Sequence, residues 1–260
     1  MPTTYEVLRR LAEPVLPVLS ARVRRDLRTL LRASPAARPQ LLDVGGRRSP
    51  YTIGLAADVT ILDVPPADAI QRQLDLGVTE KTAETVTRRR SNIVDLRLED
   101  MTRSTLPDGS FDAAVSVEVV EHVEDDATFI RQIARVLRPG GFVYLTTPNG
   151  DYRRNEGSDH NPDHVRHYTR AQLRALLDPA FERVRVIYAV QMGPNWREGL
   201  KSFRARRPLR TLRTMLGNLL NRLESRGVDE TSQRTAHLIA LGFKRVDGIA
   251  NGGSSPETDR

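Results

Sequence analysis

Apolar and polar positions along this chain follow two rhythms. Between residues 4 and 33, Val7, Leu8, Leu11, Val15, Val18 and Leu19 recur at mixed spacings of three and four. That is the period of a helix with one apolar stripe. Pro14 and Pro17 must kink or divide it, because proline lacks the N–H that a helix interior needs. Residues 34–39, Ser-Pro-Ala-Ala-Arg-Pro, read as a linker. Beyond the linker, short apolar runs predict strands over 41–44, 59–64, 93–98, 111–117, 141–147, 183–190 and 236–246. A helix is predicted over 124–137, with Phe129, Ile130, Ile133, Ala134 and Leu137 on its buried side and Arg138-Pro139-Gly140-Gly141 as its stop. Thr169-Arg170-Ala171-Gln172 has the form of a capping box and opens another helix, running through Leu176. Strands alternating with helices imply an α/β fold, a mostly parallel sheet of seven strands with helices on both faces.

Length and composition narrow this further. The 260 residues, 39% of them hydrophobic, suffice for one large α/β domain with a substantial core. The expected division is an N-terminal helical cover (1–38), a main domain (39–250) that carries a basic helical insertion (191–232) before the last strand, and a disordered tail (251–260). Absence of cysteine excludes disulfides, thiolate metal sites and cysteine nucleophiles. No apolar run reaches the roughly 18 residues of a spanning helix, and Pro14, Pro17 and several arginines interrupt the N-terminal apolar runs that a signal peptide would need. The expected location is cytoplasmic, with peripheral contact at the inner membrane face as the alternative. The formal charge of +7 is concentrated between Trp196 and Gly227, where Glu198 and Glu224 are the only acids.

In a doubly wound sheet, ligands sit beyond the carboxyl ends of the strands. The first such end reads Leu41-Leu42-Asp43-Val44-Gly45-Gly46-Arg47-Arg48-Ser49-Pro50-Tyr51, an apolar strand that stops at two glycines before a polar turn. Glycines let backbone approach a ligand closely, and a following helix start would offer unpaired N–H groups. Asp63 ends the second strand, where a carboxylate can accept from two ribose hydroxyls. Asp100 follows the third, where it can accept from an exocyclic amine. Each acid alone is explained by a turn or cap; together with the glycine turn they point to an adenosine-containing ligand.

The chain here resembles class I S-adenosylmethionine-dependent methyltransferases, in particular the group of ubiquinone-biosynthesis and sugar methyltransferases. The resemblance rests on Glu99-Asp100, on Leu106-Pro107-Asp108-Gly109-Ser110-Phe111-Asp112, and on Val117-Glu118-Val119-Val120-Glu121-His122-Val123. Leu137-Arg138-Pro139-Gly140-Gly141 and Thr147-Pro148-Asn149 complete it; it covers about residues 41–168 and the last strand. It implies a Rossmann-like sheet, S-adenosyl-L-methionine as cofactor, and a set of roles. Asp43, Gly45 and Gly46 would lie against the methionine part of the cofactor and Asp63 would hold the ribose diol. Asp100 with the Met101 backbone would read the adenine edge, and Val117 and Glu118 would line the cofactor beneath the transferred methyl. Arg47 departs from the pattern, since it stands at the second glycine position of the usual Asp-x-Gly-x-Gly loop and would have to point away from the ligand. The Arg-Ser-Pro-Tyr that follows is similar to a loop variant of methyltransferases associated with glycan synthesis.

A sulfonium methyl is already electrophilic, so the protein mainly aligns the reacting atoms. A hydroxyl acceptor has a high pKa and needs a base or a metal. His122, His160 and His164 are the candidate bases; His167 precedes the Thr169 cap as a structural feature of the resembling family, and His237 is read as structural. Asp159, His160, Asp163 and His164 have metal-ligating chemistry, but ordinary loop polarity explains them and no metal site is assigned. In the insertion, Leu200, Phe203, Leu209, Leu212, Leu216, Leu219, Leu220 and Leu223 recur at helical spacing among Arg204, Arg206, Arg207, Arg210, Arg213 and Arg222, with Pro208 splitting two helices. An amphipathic cap packed on the domain, an interfacial helix on anionic membrane and a nucleic-acid surface are the three readings; scarce aromatics disfavour the last. The expected activity is O-methylation of a sugar, glycoconjugate or other small-molecule hydroxyl. The alternatives are a membrane-associated quinone, polyketide or lipid methyltransferase and a non-catalytic binding module that keeps the fold.

Overall fold

The computed structural model describes residues 2–46, 49–64, 80–157, 160–200 and 207–246. Arg47, Asp159, Phe203, Arg204, Arg206 and the expected tail 251–260 lie outside the described residues. Seven strands form one sheet in the order β3-β2-β1-β4-β5-β7-β6. They are β1 (Gln40–Val44), β2 (Asp58–Asp63), β3 (Ile93–Leu98), β4 (Phe111–Val117), β5 (Leu137–Pro148), β6 (Phe181–Gln191) and β7 (Thr235–Lys244). β1 to β5 pair in parallel, and β7 runs antiparallel between β5 and β6. Chain order reverses at β1, whose neighbours are β2 and β4, so the crevice between the β1 and β4 ends is the topological switch point.

Successive strand residues face opposite sides of the sheet, and both sides are covered. On one, α2 (Val18–Arg32) packs Val23, Leu27 and Leu31 against Leu41, Val59, Ile61, Ala113 and Val115. On the other, α4 (Asp126–Val136) brings Phe129, Ile130, Ile133 and Val136, and α5 (Arg170–Leu177) brings Leu173 and Leu177, against Leu42, Val44, Ala114, Val143 and Leu145. Near-continuous apolar runs in β1 and β4 follow from burial on both faces. The Thr169 capping box forms as the sequence predicts, with Gln172 at its third helical position.

The N-terminal segment divides, as its prolines predict, into α1 (Thr4–Ala12), a 3₁₀ turn over Glu13–Val15 and α2, with Pro17 immediately before the second helix. Two details differ from the sequence reading. A short helix α3 (Glu80–Arg89), too poor in apolar positions to show a periodic stripe, precedes β3. Leu137 is not the last helical residue but the first of β5, paired with Phe111. Arg138–Gly141 then make an excursion before pairing resumes at Ala113↔Phe142. A Cβ on Gly141 would stand 2.9 Å from the Asp112 carbonyl, so only glycine lets the chain re-enter so close to β4.

Candidate functional site

The carboxyl ends of β1, β2, β3 and β4 meet along one edge, and the first of them makes a tight turn. Gly45 adopts φ +76°, the left-handed region that glycine enters without a Cβ clash, and donates its N–H to the Leu62 carbonyl at 2.8 Å. A Cβ on Gly45 would meet Val119 at 2.6 Å, and one on Gly46 would meet the Asp43 carboxylate carbon at the same distance. Both glycines are therefore required by the packing of the turn itself.

Asp43 is buried beneath that turn. Its Oδ2 accepts from the Thr52 hydroxyl at 2.6 Å. Burial pushes its carboxyl up to about 6, against the opposing pull of Thr52, the Arg90 charge and Ser49, while Asp63 adds to the rise. The loop after the turn is held from outside by Arg24 of α2. That buried guanidinium donates to the carbonyls of Pro50 (2.9 Å), Tyr51 (3.3 Å) and Ile53 (2.9 Å) and pairs with Glu13 at 3.1 Å.

Asp63, the last residue of β2, is buried and accepts from the Val64 N–H at 2.9 Å. The Asp63 carbonyl accepts from Glu99 N–H, which puts Asp100 at the end of the adjacent strand on the same edge. Asp100 caps the turn Met101–Arg103 through Thr102, so one of its oxygens is committed to the backbone. Met101 buries its side chain in the core and leaves its backbone at the edge.

Val117 ends β4, and Glu118 follows in the left-handed region at φ 55°, a conformation a non-glycine residue keeps only where its surroundings impose it. Its N–H donates to the Thr146 carbonyl at 3.0 Å, and its two oxygens accept from the Thr146 hydroxyl (2.8 Å) and contact His237 Nδ1 (3.1 Å). Burial raises the Glu118 carboxyl, but His237, Thr146 and His164 outweigh it and leave it below its usual value. His237, read from sequence as structural, holds Glu118 in place: pairing of Pro148 with His237 across β5 and β7 carries that imidazole to the edge.

Beyond Glu118 the chain turns through Val120–His122, and the loop after β5 folds back on it, with Gly150 N–H donating to Tyr168 O and Val165 N–H to Glu121 O. This places three histidines in a row. His167 Nδ1 lies 2.7 Å from the Arg153 carbonyl, so it must carry the proton there; its Nε2 is then bare and accepts from His164 Nδ1 at 2.8 Å. The same logic protonates His122 Nδ1, which lies 2.7 Å from the Asp163 carbonyl. His164 stands edge to face with His122 at 4.7 Å, and in its neutral form these bonds leave the His164 Nε2 without a proton. Burial, then the neighbouring His122 and His167, lowers the His164 pKa, so its neutral form prevails at pH 7. His160 is turned instead toward the Asn155 carbonyl, 3.4 Å from its Nδ1.

Residues 42–145 match the family described as Methyltransferase domain. A probable S-adenosylmethionine-dependent methyltransferase of Mycolicibacterium smegmatis is 37% identical over 115 residues, 44% of this chain and 44% of that protein. A ubiquinone biosynthesis O-methyltransferase of Xanthomonas oryzae is 35% identical over 113 residues, 42% of this chain and 43% of its own. The matched segments thus span less than half of each relative. A solved S-adenosylmethionine-dependent methyltransferase of Thermotoga maritima, described as a possible histamine N-methyltransferase, superimposes with a TM-score of 0.54 at 17% identity, covering 92% of this chain and 95% of its own. The match to the methyltransferase domain thus covers residues 42–145, and the structural likeness extends the same fold over most of the chain.

Within the matched segment the sequence-predicted residues Asp43, Gly45, Gly46, Asp63, Asp100, Met101, Val117 and Glu118 all lie along one edge of the sheet, with His122 beyond β4 and His164 brought beside it by the later loop. Buried or half-buried carboxylates dominate that edge in an otherwise basic chain, a donor set that suits a ligand with hydroxyls and positive charge. Three contributors escaped the sequence reading. Arg24 and His237 come from distant segments. Glu121 was within reach, since it stands inside the Val117–Val123 motif. Its Oε2 accepts from the Thr147 hydroxyl at 3.1 Å, while its buried Oε1 has no partner among the described residues. Burial and the Glu118 charge raise the Glu121 carboxyl well above its usual value. Among the described residues, Glu121, His122 and His164 offer ligand atoms within 4.8 Å of one another, a set with the chemistry to hold a cation.

Proposed function

We propose that this chain transfers a methyl group from S-adenosylmethionine to an oxygen of a small molecule, with a sugar or glycoconjugate hydroxyl as the acceptor class. The observation that carries the reading is the alignment of the Gly45–Gly46 turn, Asp63 and Asp100 on one edge, with the bare Nε2 of His164 beyond the end of β4. Bound there, S-adenosylmethionine supplies an electrophilic methyl on a cationic sulfur.

The chain's residues would then act as follows. Asp63 accepts hydrogen bonds from the ribose diol. The Asp100 oxygen not used in the cap, with the Met101 backbone, meets the adenine edge. Asp43 holds the turn in shape through Thr52, and Arg24 holds the segment behind it. Glu118, locked by Thr146 and His237, keeps a negative charge near the sulfonium. His164 Nε2 takes the acceptor proton, and the ring keeps its orientation through His167 and the Arg153 carbonyl. The similarity to methyltransferases of ubiquinone biosynthesis supports an oxygen acceptor, and the Arg-Ser-Pro-Tyr loop variant supports a glycan-related one.

Titration calorimetry with S-adenosylmethionine tests the first half. Binding is expected, with at least a tenfold loss in Asp63→Ala and Asp100→Ala; no binding by the unaltered chain would end the proposal. Transfer of labelled methyl to a panel of sugar hydroxyls, with catechol, amine and thiol acceptors as contrast, tests the second.

A further inference from the structure

The basic insertion folds as α6 (Trp196–Gly199) and α7 (Pro208–Glu224), and α7 faces the wrong way for a packed cap. Its buried residues are Thr214, Gly217, Asn218 and Asn221. Its leucines point out: Leu209 is 82% exposed, Leu212 63%, Leu216 53% and Leu223 53%, with Leu219 and Leu220 also exposed. Positions 209, 212, 216, 219/220 and 223 form one continuous stripe at helical spacing. Of the three sequence readings, a cap packed on the domain holds only through this polar face, and the leucine face is left outward.

The inversion is held by specific contacts. Asn218 Nδ2 donates to the Val15 carbonyl at 2.9 Å and Asn221 Nδ2 to the Gln191 carbonyl at 2.6 Å. A Cβ on Gly217 would stand 3.1 Å from the Glu198 side chain, so the buried face also fits too closely for larger residues. Turning the helix over to hide the leucines would break both of these hydrogen bonds and strand the amides on the outside. A second helix repeats the arrangement. In α1, Val7, Leu8 and Leu11 are exposed while Glu6 is buried and accepts from the Ser91 N–H and hydroxyl. α1 runs directly into the Glu13–Val15 turn to which α7 is bonded through Asn218 and through Arg222, which donates to the Glu13 carbonyl at 3.1 Å.

Cations accompany the stripe. Arg207, at the N-cap of α7, and Arg213 on it are exposed, and the exposed Arg226 follows it. Two copies facing each other through such stripes would bring like charges together. A bilayer with anionic headgroups takes both parts: acyl chains receive the leucines and headgroup phosphates receive the guanidiniums. We propose that α7 docks this protein on an anionic membrane surface, lying in the headgroup plane with Leu209, Leu212, Leu216 and Leu223 sunk toward the acyl chains. The proposal rests on α7 and α1 alone and does not require the methyltransferase reading.

Flotation of the full chain with phosphatidylcholine vesicles, with or without phosphatidylglycerol, tests it. The protein is expected to float with the anionic vesicles, to stay behind with the neutral ones, and to be released by salt. Leu212→Gln with Leu216→Gln, and separately Arg207→Gln with Arg210→Gln, should each weaken binding at least tenfold without lowering the thermal midpoint, because the leucines are exposed. Failure to float with anionic vesicles would overturn the proposal. So would binding lost in the arginine pair but unchanged in the leucine pair, which would mean charge adsorption without insertion. Self-association in solution that the leucine pair abolishes, without vesicle binding, would assign the stripe to a second copy instead.

Discussion

His237 Nδ1 lies 3.1 Å from Glu118 Oε2, although 119 residues separate the two along the chain. The contact joins β7 to the end of β4 and helps hold Glu118 in its left-handed conformation. Replacing His237 by alanine leaves burial to act on the Glu118 carboxyl without its strongest opponent. In the unaltered protein a depressed carboxyl contributes stability above the unfolded value of 4.5 and loses it as pH falls through the folded value. His237→Ala should remove that contribution and lower stability at pH 7 by about 1.5–3 kcal/mol, the scale of a hydrogen bond to a charged group. Urea denaturation of both proteins across pH 3 to 7 checks it; superimposable curves would show that the pair contributes nothing.

His164→Ala is expected to lower kcat by roughly 10²-fold or more, the usual scale for a positioned base, with cofactor affinity nearly unchanged. His160→Ala, whose imidazole turns toward Asn155, should retain most activity. In the unaltered enzyme kcat should rise with pH and level off at a midpoint below 6.5, because burial and the two neighbouring imidazoles lower the His164 pKa. A kcat profile measured on both variants decides between the two histidines.

Asp43 titrates in the opposite sense from Glu118. Its folded value, about 6, stands above the unfolded 3.8, so the folded state binds the extra proton between them and stability declines as pH rises through that window. Asp43→Asn keeps an acceptor for Thr52 and removes the buried charge. Relative to the unaltered protein it should gain stability from pH 4 to pH 7, by no more than roughly 3 kcal/mol at 1.36 kcal/mol per pKa unit. A stability difference that is flat with pH would contradict the assignment.

Arg24→Ala should be among the most disruptive substitutions outside the cofactor edge. It leaves the Pro50, Tyr51 and Ile53 carbonyls without their donor and Glu13 short of a partner. A loss of about 3 kcal/mol is expected from breaking such a buried cluster, together with weaker S-adenosylmethionine binding as the 45–55 segment loosens. Thermal melting and calorimetry read the two effects separately. Arg24→Lys should recover only part of either, since one ammonium cannot span three carbonyls and a carboxylate.

Much of this was written locally. The strands of the sheet are short apolar runs bounded by turn residues, and the Thr169 box names its own helix start, so sequence spacing located them to within a few residues. The acids at 43, 63 and 100 were legible because a strand's end is legible, and a parallel sheet collects its carboxyl ends on one edge. Leu137 was misplaced because a proline and two glycines signal a break without saying that the strand resumes beyond it.

What the tertiary structure alone decided concerns partners and direction. No local pattern brings His237 to Glu118, Arg24 to Tyr51 or His167 to Arg153; those pairs depend on sheet order and on where a loop folds back. Periodicity located the two faces of α7 and α1, yet it could not say which face turns inward. Asn218 and Asn221 settle that in α7 and Glu6 in α1, because a buried polar side chain with a backbone partner holds its helix as firmly as an apolar one. Spacing along a helix is a property of the chain, whereas the side that meets the protein depends on the groups waiting there.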